Sequence, residues 1–144
     1  MVVAFCGHAQ FFKTEEYEQK ILAFLEKKVG DNPVDFYLGG YGSFDSFAYD
    51  CCKKYKETHP HASLIFITPY ITVNHRLQKY DGIIYPEIEN KPLKFAISYR
   101  NRWMVERADY IICGILHEWG GAYKTYQHAI RKNKTVFNVT GKEF

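Results

Sequence analysis

The order of local patterns between residues 110 and 139 most constrains the fold. Residues 110–115, Tyr-Ile-Ile-Cys-Gly-Ile, form a short continuous apolar run, which is typical of a parallel strand buried on both faces. Gly120 and Gly121 then precede a helical pattern, and residues 135–139 form a second strand pattern. Strand, glycine pair, helix and strand in this order predict a βαβ unit. The inward face of its helix is predicted to carry Ala122, Tyr126, Ala129 and Ile130.

The same alternation runs through the rest of the chain. A helical pattern that Thr14 can cap separates the first two strand patterns, and Gly30 is expected to end it. Alternating strands and helices predict an α/β fold with a mostly parallel sheet covered by helices on both faces. A chain of 144 residues fits one domain, residues 1–144. The three strand patterns that precede the βαβ unit are 2–6, 34–38 and 62–68.

The connection from Tyr70 to Lys94 has no clear periodicity. Connections of this length, about two dozen residues, are uncommon inside compact domains and are usually functional. It leads into a basic helical pattern that begins at Arg100 and ends near Asp109.

Charge is unevenly distributed along the chain. Residues 1–90 carry 9 Lys/Arg and 12 Asp/Glu, whereas residues 91–134 carry 9 and 3, so that the net charges are −3 and +6. The basic excess favours an anionic ligand near the second region, and a solvated basic surface is an equal alternative. The total of +3 and the isoelectric point near 8.6 are modest for a nucleic-acid-binding protein.

The sequence shows no signal-peptide pattern and no apolar run of membrane-spanning length, so a cytoplasmic location without a membrane partner is predicted. The four cysteines are therefore expected to be reduced thiols. No metal is predicted, because neighbouring cysteines on a helix point in different directions and do not suit a zinc site. The disfavoured zinc ligands are Cys51, Cys52, His59 and His61.

Candidate ligand-binding residues lie in three loops that follow predicted strands. The loops are Gly7-His8, Gly39-Gly40-Tyr41-Gly42-Ser43 and Gly120-Gly121-Ala122. In parallel sheets ligands bind beyond the carboxyl ends of the strands, and glycine lets backbone amides converge on an anion. One glycine pair alone would favour a tight turn, but two pairs, each between a strand and a helix, favour a phosphate site. Their spacing matches neither the usual dinucleotide-binding pattern nor the Walker pattern.

Several side chains could complete this site. Arg100 and Arg102 flank Asn101 and cannot share a helix face, so we expect one arginine to bind a ligand phosphate and the other to pair with an acid. Asn101 is a further candidate ligand residue. Asp45 could cap its helix or bind a ribose hydroxyl, with equal weight. Trp103 could stack on a base, although packing in the core is favoured.

His8, at a strand end, is the histidine predicted to be functional. The remaining histidines considered are predicted to be loop residues, namely His59, His61, His75 and His117.

These residues belong to motifs that occur in the same order in a known group of proteins. The motifs are Phe5-Cys6-Gly7-His8, residues 39–45 (Gly-Gly-Tyr-Gly-Ser-Phe-Asp), residues 80–86 (Tyr-Asp-Gly-Ile-Ile-Tyr-Pro), residues 100–105 (Arg-Asn-Arg-Trp-Met-Val) and Gly120-Gly121-Ala122. The chain resembles the SLOG superfamily, most closely its YpsA-like group, which is related to DNA-processing protein A and to the lonely-guy phosphoribohydrolases. The resemblance implies a Rossmann-like sheet of five or slightly more strands, a nucleotide-derived ligand without a further cofactor, and frequent homo-oligomers.

One departure from the phosphoribohydrolases bears on catalysis. In an ungapped comparison, their Pro-Gly-Gly-x-Gly-Thr-x-x-Glu motif places Tyr123-Lys124 at the Gly-Thr pair and Gln127 at the catalytic glutamate. Glutamine cannot act as a carboxylate acid or base. Glu106 or Glu118 could replace it only if the geometry allowed.

Three functions are therefore considered. The principal prediction is a nucleotide-binding or sensing domain. The alternatives are a hydrolase or transferase of nucleoside N-glycosidic bonds, of the phosphoribohydrolase or deoxyribosyltransferase type, and a single-stranded DNA-binding protein that uses the basic face and aromatic residues.

Overall fold

The computed structural model describes residues 1–71 and 78–144, in which six parallel strands form one sheet. The strand order is β4-β3-β2-β1-β5-β6. This confirms the α/β prediction, and six strands lie within the expected five or slightly more. The strands are β1 (Val2–Gly7), β2 (Val34–Leu38), β3 (Ala62–Ile67), β4 (Gly82–Ile84), β5 (Tyr110–Gly114) and β6 (Thr135–Asn138).

Helices cover both faces of the sheet. One hydrophobic cluster joins the first two helices to one face, and a second cluster joins the last two helices to the other face. A short 3-10 helix, Leu93–Phe95, precedes the third helix. The helices are α1 (Glu15–Lys28), α2 (Ser43–Thr58), α3 (Ala96–Arg107) and α4 (Gly121–Arg131).

The helix boundaries follow local chemistry. The Thr14 side-chain oxygen accepts a hydrogen bond from the Tyr17 backbone N–H at 3.1 Å, as predicted for the cap of α1. Gly30, just beyond the end of α1, has a φ of 56°, which glycine adopts without strain. On α4 the prediction for Ile130 was wrong, because this residue is 48% exposed, whereas Thr125 is buried. Ile130 lies one step of about 100° beyond Ala129 around the helix, which turns it away from the sheet.

The strand β4 was not found in the sequence, because its three residues are too few to show a period. Asp81 holds the start of β4 against β3: its carboxylate accepts the Leu64 N–H at 2.7 Å, and its own N–H donates to the Leu64 carbonyl at 2.8 Å. Part of the long connection and His75, which was predicted to be a loop residue, lie outside the described residues.

The order of the strands defines a switch point between β1 and β5. The chain builds β1 to β4 in one direction across the sheet and then places β5 on the other side of β1. Connections that diverge from neighbouring parallel strands leave a crevice beyond their carboxyl ends, where ligands of such sheets bind. Gly7 and Gly114 are register partners at these two ends.

Both of these glycines pack against Phe44, which is fully buried on α2. A Cβ at Gly114 would lie 2.5 Å from Phe44 Cδ1, and a Cβ at Gly7 would collide with the same ring. Glycine at these positions therefore allows α2 to approach the sheet. Phe44 covers the two strand ends on the side of α1 and α2.

Replacing Gly7 with alanine should destabilise the fold by about 1–3 kcal/mol, the usual range for overpacking a core. Chemical denaturation of the variant measures this loss. The matched control is Gly121→Ala, because a Cβ there would meet no described atom within 4 Å apart from the adjoining residues and the backbone of α4, and its φ is not in the left-handed region. Equal stabilities for the two variants would contradict the packing role of Phe44.

Candidate functional site

His8 lies at the switch point, at the end of β1, and is only 6% exposed. Its backbone N–H donates to the Gly114 carbonyl at 3.3 Å, which ties it to the end of β5. Its Nε2 accepts hydrogen bonds from the backbone N–H groups of Leu116 at 2.9 Å and His117 at 3.4 Å. An accepting Nε2 carries no proton, so the neutral ring must hold its proton on Nδ1.

Burial is the main cause of a lowered pKa of His8, and the neighbouring His117 lowers it further. Both effects keep His8 neutral and able to accept hydrogen bonds. Because the unfolded chain binds this proton more readily, the contribution of His8 to stability is present at higher pH and is lost as the pH falls below its ordinary value of 6.5.

A stack of three rings begins at His8. His117 lies against it with ring centroids 3.7 Å apart and an interplanar angle of 17°, and Trp119 follows at 3.6 Å and 14°. The exposed fraction rises from 6% at His8 to 69% at Trp119. The stack therefore runs from the buried strand ends out to solvent and presents a large indole surface beside the crevice.

Residues around the end of β6 hold the same loop from its other side. The Asn138 side chain accepts the Ile115 N–H and donates to the Ile115 carbonyl, both at 3.0 Å. The Thr140 hydroxyl donates to the same carbonyl at 2.8 Å, and the Lys142 ammonium donates to the Leu116 carbonyl at 3.0 Å. The base of the loop that carries Trp119 is thus fixed by β1 and by the residues around the end of β6.

The N-terminus of α4 directly follows Trp119. Gly120 is its N-cap with a φ of 93°, and no described side chain caps the helix. Apart from the adjoining residues and the backbone of α4 itself, no described atom lies within 4 Å of a Cβ built at Gly120 or Gly121, so no other part of the described chain obstructs this helix end. Uncapped amides at a helix N-terminus suit an anion. Ala122, the third candidate in this loop, is half-buried.

The loop after β2 has different surroundings. A Cβ at Gly40 would collide with Phe66, and one at Gly42 would lie 2.7 Å from the Cα of Ala9. The Ser43 N–H donates to the Ala9 carbonyl at 2.9 Å, and the Ser43 hydroxyl accepts the Phe11 N–H at 2.6 Å. These contacts give the glycines a packing role, and the expected phosphate contact of this loop stays a prediction.

Arg100 is fully buried beneath this loop. Its Nη1 donates to the carbonyls of Gly39 at 2.9 Å and Ile67 at 2.6 Å, so that the guanidinium joins the ends of β2 and β3. A Cβ at Gly39 would lie 3.1 Å from Asp45 Oδ2 and 3.2 Å from Arg100 Nη2, so both charged groups lie close to this glycine. Among the described residues no salt bridge within 4.0 Å joins Arg100 to Asp45, so the expected pairing of one arginine with an acid stays a prediction.

Asp45 does not cap α2 with its side chain; its carboxylate instead accepts the Tyr41 N–H at 2.8 Å. Burial raises the pKa of Asp45 to about 6, against the lowering effects of the Arg100 charge and the Tyr41 hydrogen bond. Burial also lowers the pKa of Arg100, while the Asp45 charge acts in the opposite direction.

The two residues after Arg100 face different surroundings. Asn101 Oδ1 accepts a hydrogen bond from Arg100 Nε at 2.9 Å, whereas Arg102 is exposed. The prediction that the two arginines lie on different helix faces is confirmed. Trp103 is half-buried and stacks on Tyr37 with centroids 5.6 Å apart, which confirms the packing interpretation.

The acids considered for catalysis occupy different places. The helix α3 returns to the amino edge of the sheet before β5 begins, so Glu106, at its last turn, lies away from the crevice and contacts His128 at 3.3 Å. Glu118 is exposed in the loop next to Trp119. Gln127 is half-buried, and its Nε2 donates to the Tyr123 hydroxyl at 3.3 Å.

Sequence reasoning missed His117 and Trp119. His117 was assigned only to a loop, which is correct, but the loop brings it onto His8. The available signal was their position, five or fewer residues after the strand pattern 110–115 and directly before the glycine pair. In the described ranges no group of three or more His, Cys, Asp or Glu side chains is placed to hold a metal ion. Over the same ranges no helix has the length and apolar character needed to cross a membrane.

Comparison with known proteins identifies the fold. No family model and no curated protein sequence matches the chain. Among solved structures, DNA processing protein A from Streptococcus pneumoniae matches 94% of this chain at a TM-score of 0.65 and 20% identity. The Helicobacter pylori protein of the same name, described for its single-stranded DNA binding mode, matches 96% at 0.63 and 16%. The chain has the Rossmann-like fold of these proteins. It spans 49% and 64% of their respective lengths.

Asp45 provides a direct test of the effect of burial on the pKa of its carboxyl group. Its carboxyl carbon should titrate in the folded protein with a midpoint near 6, and not near the ordinary value of 3.8, as measured by carbon-13 NMR. The same group in urea-unfolded protein is the control. Because the folded state holds this proton more tightly, the stabilising contribution is present at pH values below about 4 and is lost as the pH rises through about 6. A folded midpoint near the unfolded one would contradict the effect of burial.

Proposed function

We propose that the protein binds a nucleotide or a nucleotide-derived molecule in the crevice beyond the carboxyl ends of β1 and β5. The observation that carries this proposal is the ring stack of His8, His117 and Trp119, whose exposed end adjoins the unobstructed N-terminus of α4. The base stacks on Trp119, and a phosphate accepts hydrogen bonds from the first amides of α4.

The surroundings of Trp119 support a stacking role. Its indole is 69% exposed although one face lies against His117, so the opposite face is accessible to a ligand. His8 and Asn138 accept hydrogen bonds from the backbone N–H groups of Leu116 and Ile115, which holds the base of its loop and reduces the entropy lost when a ligand binds. Stacking on an aromatic ring tolerates any base, so the base itself must be distinguished by other contacts.

The arrangement favours binding over cleavage. Glutamine occupies position 127, where the resembling phosphoribohydrolases carry their catalytic glutamate, and Glu106 lies away from the crevice. A domain that holds a nucleotide with glutamine in place of that glutamate is suited to sensing.

The base contact is tested by Trp119→Ala, which should weaken nucleotide binding by about 1–3 kcal/mol, the range for one stacked base. Trp119→Phe should retain part of the affinity because it keeps an aromatic face. Calorimetric titration measures the affinity of all three proteins, because Trp119→Ala and Trp119→Phe lack the indole that would report binding by fluorescence. A screen of nucleotides by thermal shift supplies the ligand. If Trp119→Ala binds that ligand as tightly as the parent protein, the base lies elsewhere.

The phosphate contact is tested by Gly121→Leu. A side chain at this unobstructed position should block the approach of an anion and abolish binding, while the midpoint of thermal unfolding without ligand stays unchanged. Gly121→Ala is the smaller matched change and should reduce binding less. Normal nucleotide affinity in Gly121→Leu would exclude the end of α4 as the phosphate site.

The absence of cleavage is tested with nucleoside monophosphates. The unmodified protein should release little or no free base, as measured by chromatography, because Gln127 cannot donate or accept a proton as a carboxylic acid does. Gln127→Glu introduces a carboxylic acid at this position, and Gln127→Ala is its control. Rapid base release by the unmodified protein would favour the hydrolase alternative and direct attention to Glu118 or Asp45.

A second candidate function, single-stranded DNA binding, is favoured by a separate surface. We call it the basic-aromatic surface; it comprises Lys91, Lys94, Phe95, Tyr99 and Arg102. The three cations lie over rings, at 5.3 Å for Lys91 and 5.9 Å for Arg102 over Tyr99, and at 5.0 Å for Lys94 over Phe95. Proteins that bind single-stranded DNA combine cations, which contact the backbone, with aromatic rings, which stack on the bases. The Helicobacter pylori protein of the same fold binds such DNA.

DNA binding at this surface predicts a salt dependence. If the three cations each neutralise one phosphate, the logarithm of the affinity for an oligothymidylate should fall against the logarithm of salt with a slope of about −2. Lys94→Gln should weaken binding and make the slope shallower, whereas Lys27→Gln on the opposite side of the sheet should not. Binding that is insensitive to both salt and Lys94→Gln would exclude this surface.

A further inference from the structure

A cavity of about 310 Å³ lies between the β1–α1 loop and α2, on the side of Phe44 opposite to α4. Phe11 and Phe47 are buried and form part of its wall, with their rings 5.7 Å apart at an interplanar angle of 26°. Phe12 lines the same cavity and is 85% exposed, the highest value among the large apolar side chains of the described residues. The cavity thus has an apolar interior and an aromatic ring at its rim.

This cavity adjoins the strand ends where the proposed nucleotide crevice begins. A Cβ at Gly114 would lie 2.8 Å from Phe11 Cε2, so the Phe11 ring rests on the end of β5. Gly114 is the last residue of the strand whose following loop carries His117 and Trp119. The wall of the cavity and the base of the ring stack therefore meet at the same strand end.

The polar groups at the cavity have the chemistry of a base and phosphate site. Asp50 and Lys13 line it and are exposed, and neither forms an ion pair with another described residue. A carboxylate accepts hydrogen bonds from the amino and imino groups of a base, and an ammonium pairs with phosphate. Ser46, one turn of α2 before Asp50, adds a hydroxyl to the same wall.

We propose that this cavity is a second base subsite and that the ligand of the protein is a dinucleotide. This proposal rests on the nucleotide site proposed above. One base stacks on Trp119 and the other on Phe12, with Asp50 accepting from the edge of the second base. The volume is at the lower end of the range for ligand pockets, about 300–1,000 Å³, which suits one base with its sugar.

The test compares mononucleotides with dinucleotides. The probes are the four ribonucleoside 5′-monophosphates and their 5′-phosphorylated homodinucleotides, and calorimetric titration measures their affinities. The dinucleotide of the preferred base should bind at least about 10-fold more tightly than its mononucleotide, because a second base is stacked. Phe12→Ala should remove this gain and leave mononucleotide affinity unchanged. Asp50→Asn, which keeps the shape of the side chain, should reduce the gain. Ile130→Ala, an exposed apolar position at the far end of α4, is the control for both variants.

The outcomes separate this proposal from the one on which it rests. A mononucleotide that binds through Trp119 with no gain for its dinucleotide would overturn the second subsite and leave the first. A gain that survives Phe12→Ala would also overturn it, because the second base would then lie elsewhere. Failure of all eight probes to bind would overturn both proposals. Because Phe12 is exposed, Phe12→Ala should fold normally, and thermal unfolding without ligand verifies this.

Discussion

The packing of Phe44 over Gly7 and Gly114 is the contact on which the arrangement of this protein depends. The two glycines are register partners at the switch point, and the ring occupies the space that their side chains would need. It brings α2 close to the sheet and fills the end of β1 and β5 from one side. The crevice is left to the loop after β5 and to α4, which is where the ring stack and the unobstructed helix end occur. Packing within the fold thus requires glycine at these positions, and the ligand contact predicted for Gly7 stays a prediction.

The two arginines at the centre of α3, Arg100 and Arg102, lie in different surroundings. Arg100 was expected from its sequence neighbourhood to be one of two candidates for an anion, but its guanidinium is buried and joins the ends of β2 and β3 through the carbonyls of Gly39 and Ile67. A buried guanidinium requires such acceptors, since leaving one unpaired is costly. Arg102, two residues later, is exposed beside Tyr99. The same basic sequence therefore supplies one cation to the interior and one to the surface.

The sequence predicted those features that depend on short-range patterns. The strands β1, β2, β3, β5 and β6, the cap of α1 by Thr14 and the parallel sheet all follow from apolar periodicity and local hydrogen bonding. The strand β4 was missed because three residues carry no period and its position depends on Asp81, whose partner Leu64 is distant in sequence. The ring stack was missed for a related reason: His8 and His117 are 109 residues apart and meet only through strand pairing. Patterns indicate which residues end a strand, but the contacts between those ends depend on the order of the strands.

The hydrogen bonds that hold the loop of Trp119 connect it to the residues after β6. Thr140 and Lys142 donate to the same short loop whose other side is held by His8. Coupling of this kind is reciprocal. A displacement of residues 140–142 weakens the hydrogen bonds that hold the Trp119 loop, and a contact that orders this loop strengthens its hydrogen bonds to residues 140–142. Residues 140–142 therefore respond to any change in the position of the Trp119 loop, although they follow β6 and not β5 in the chain.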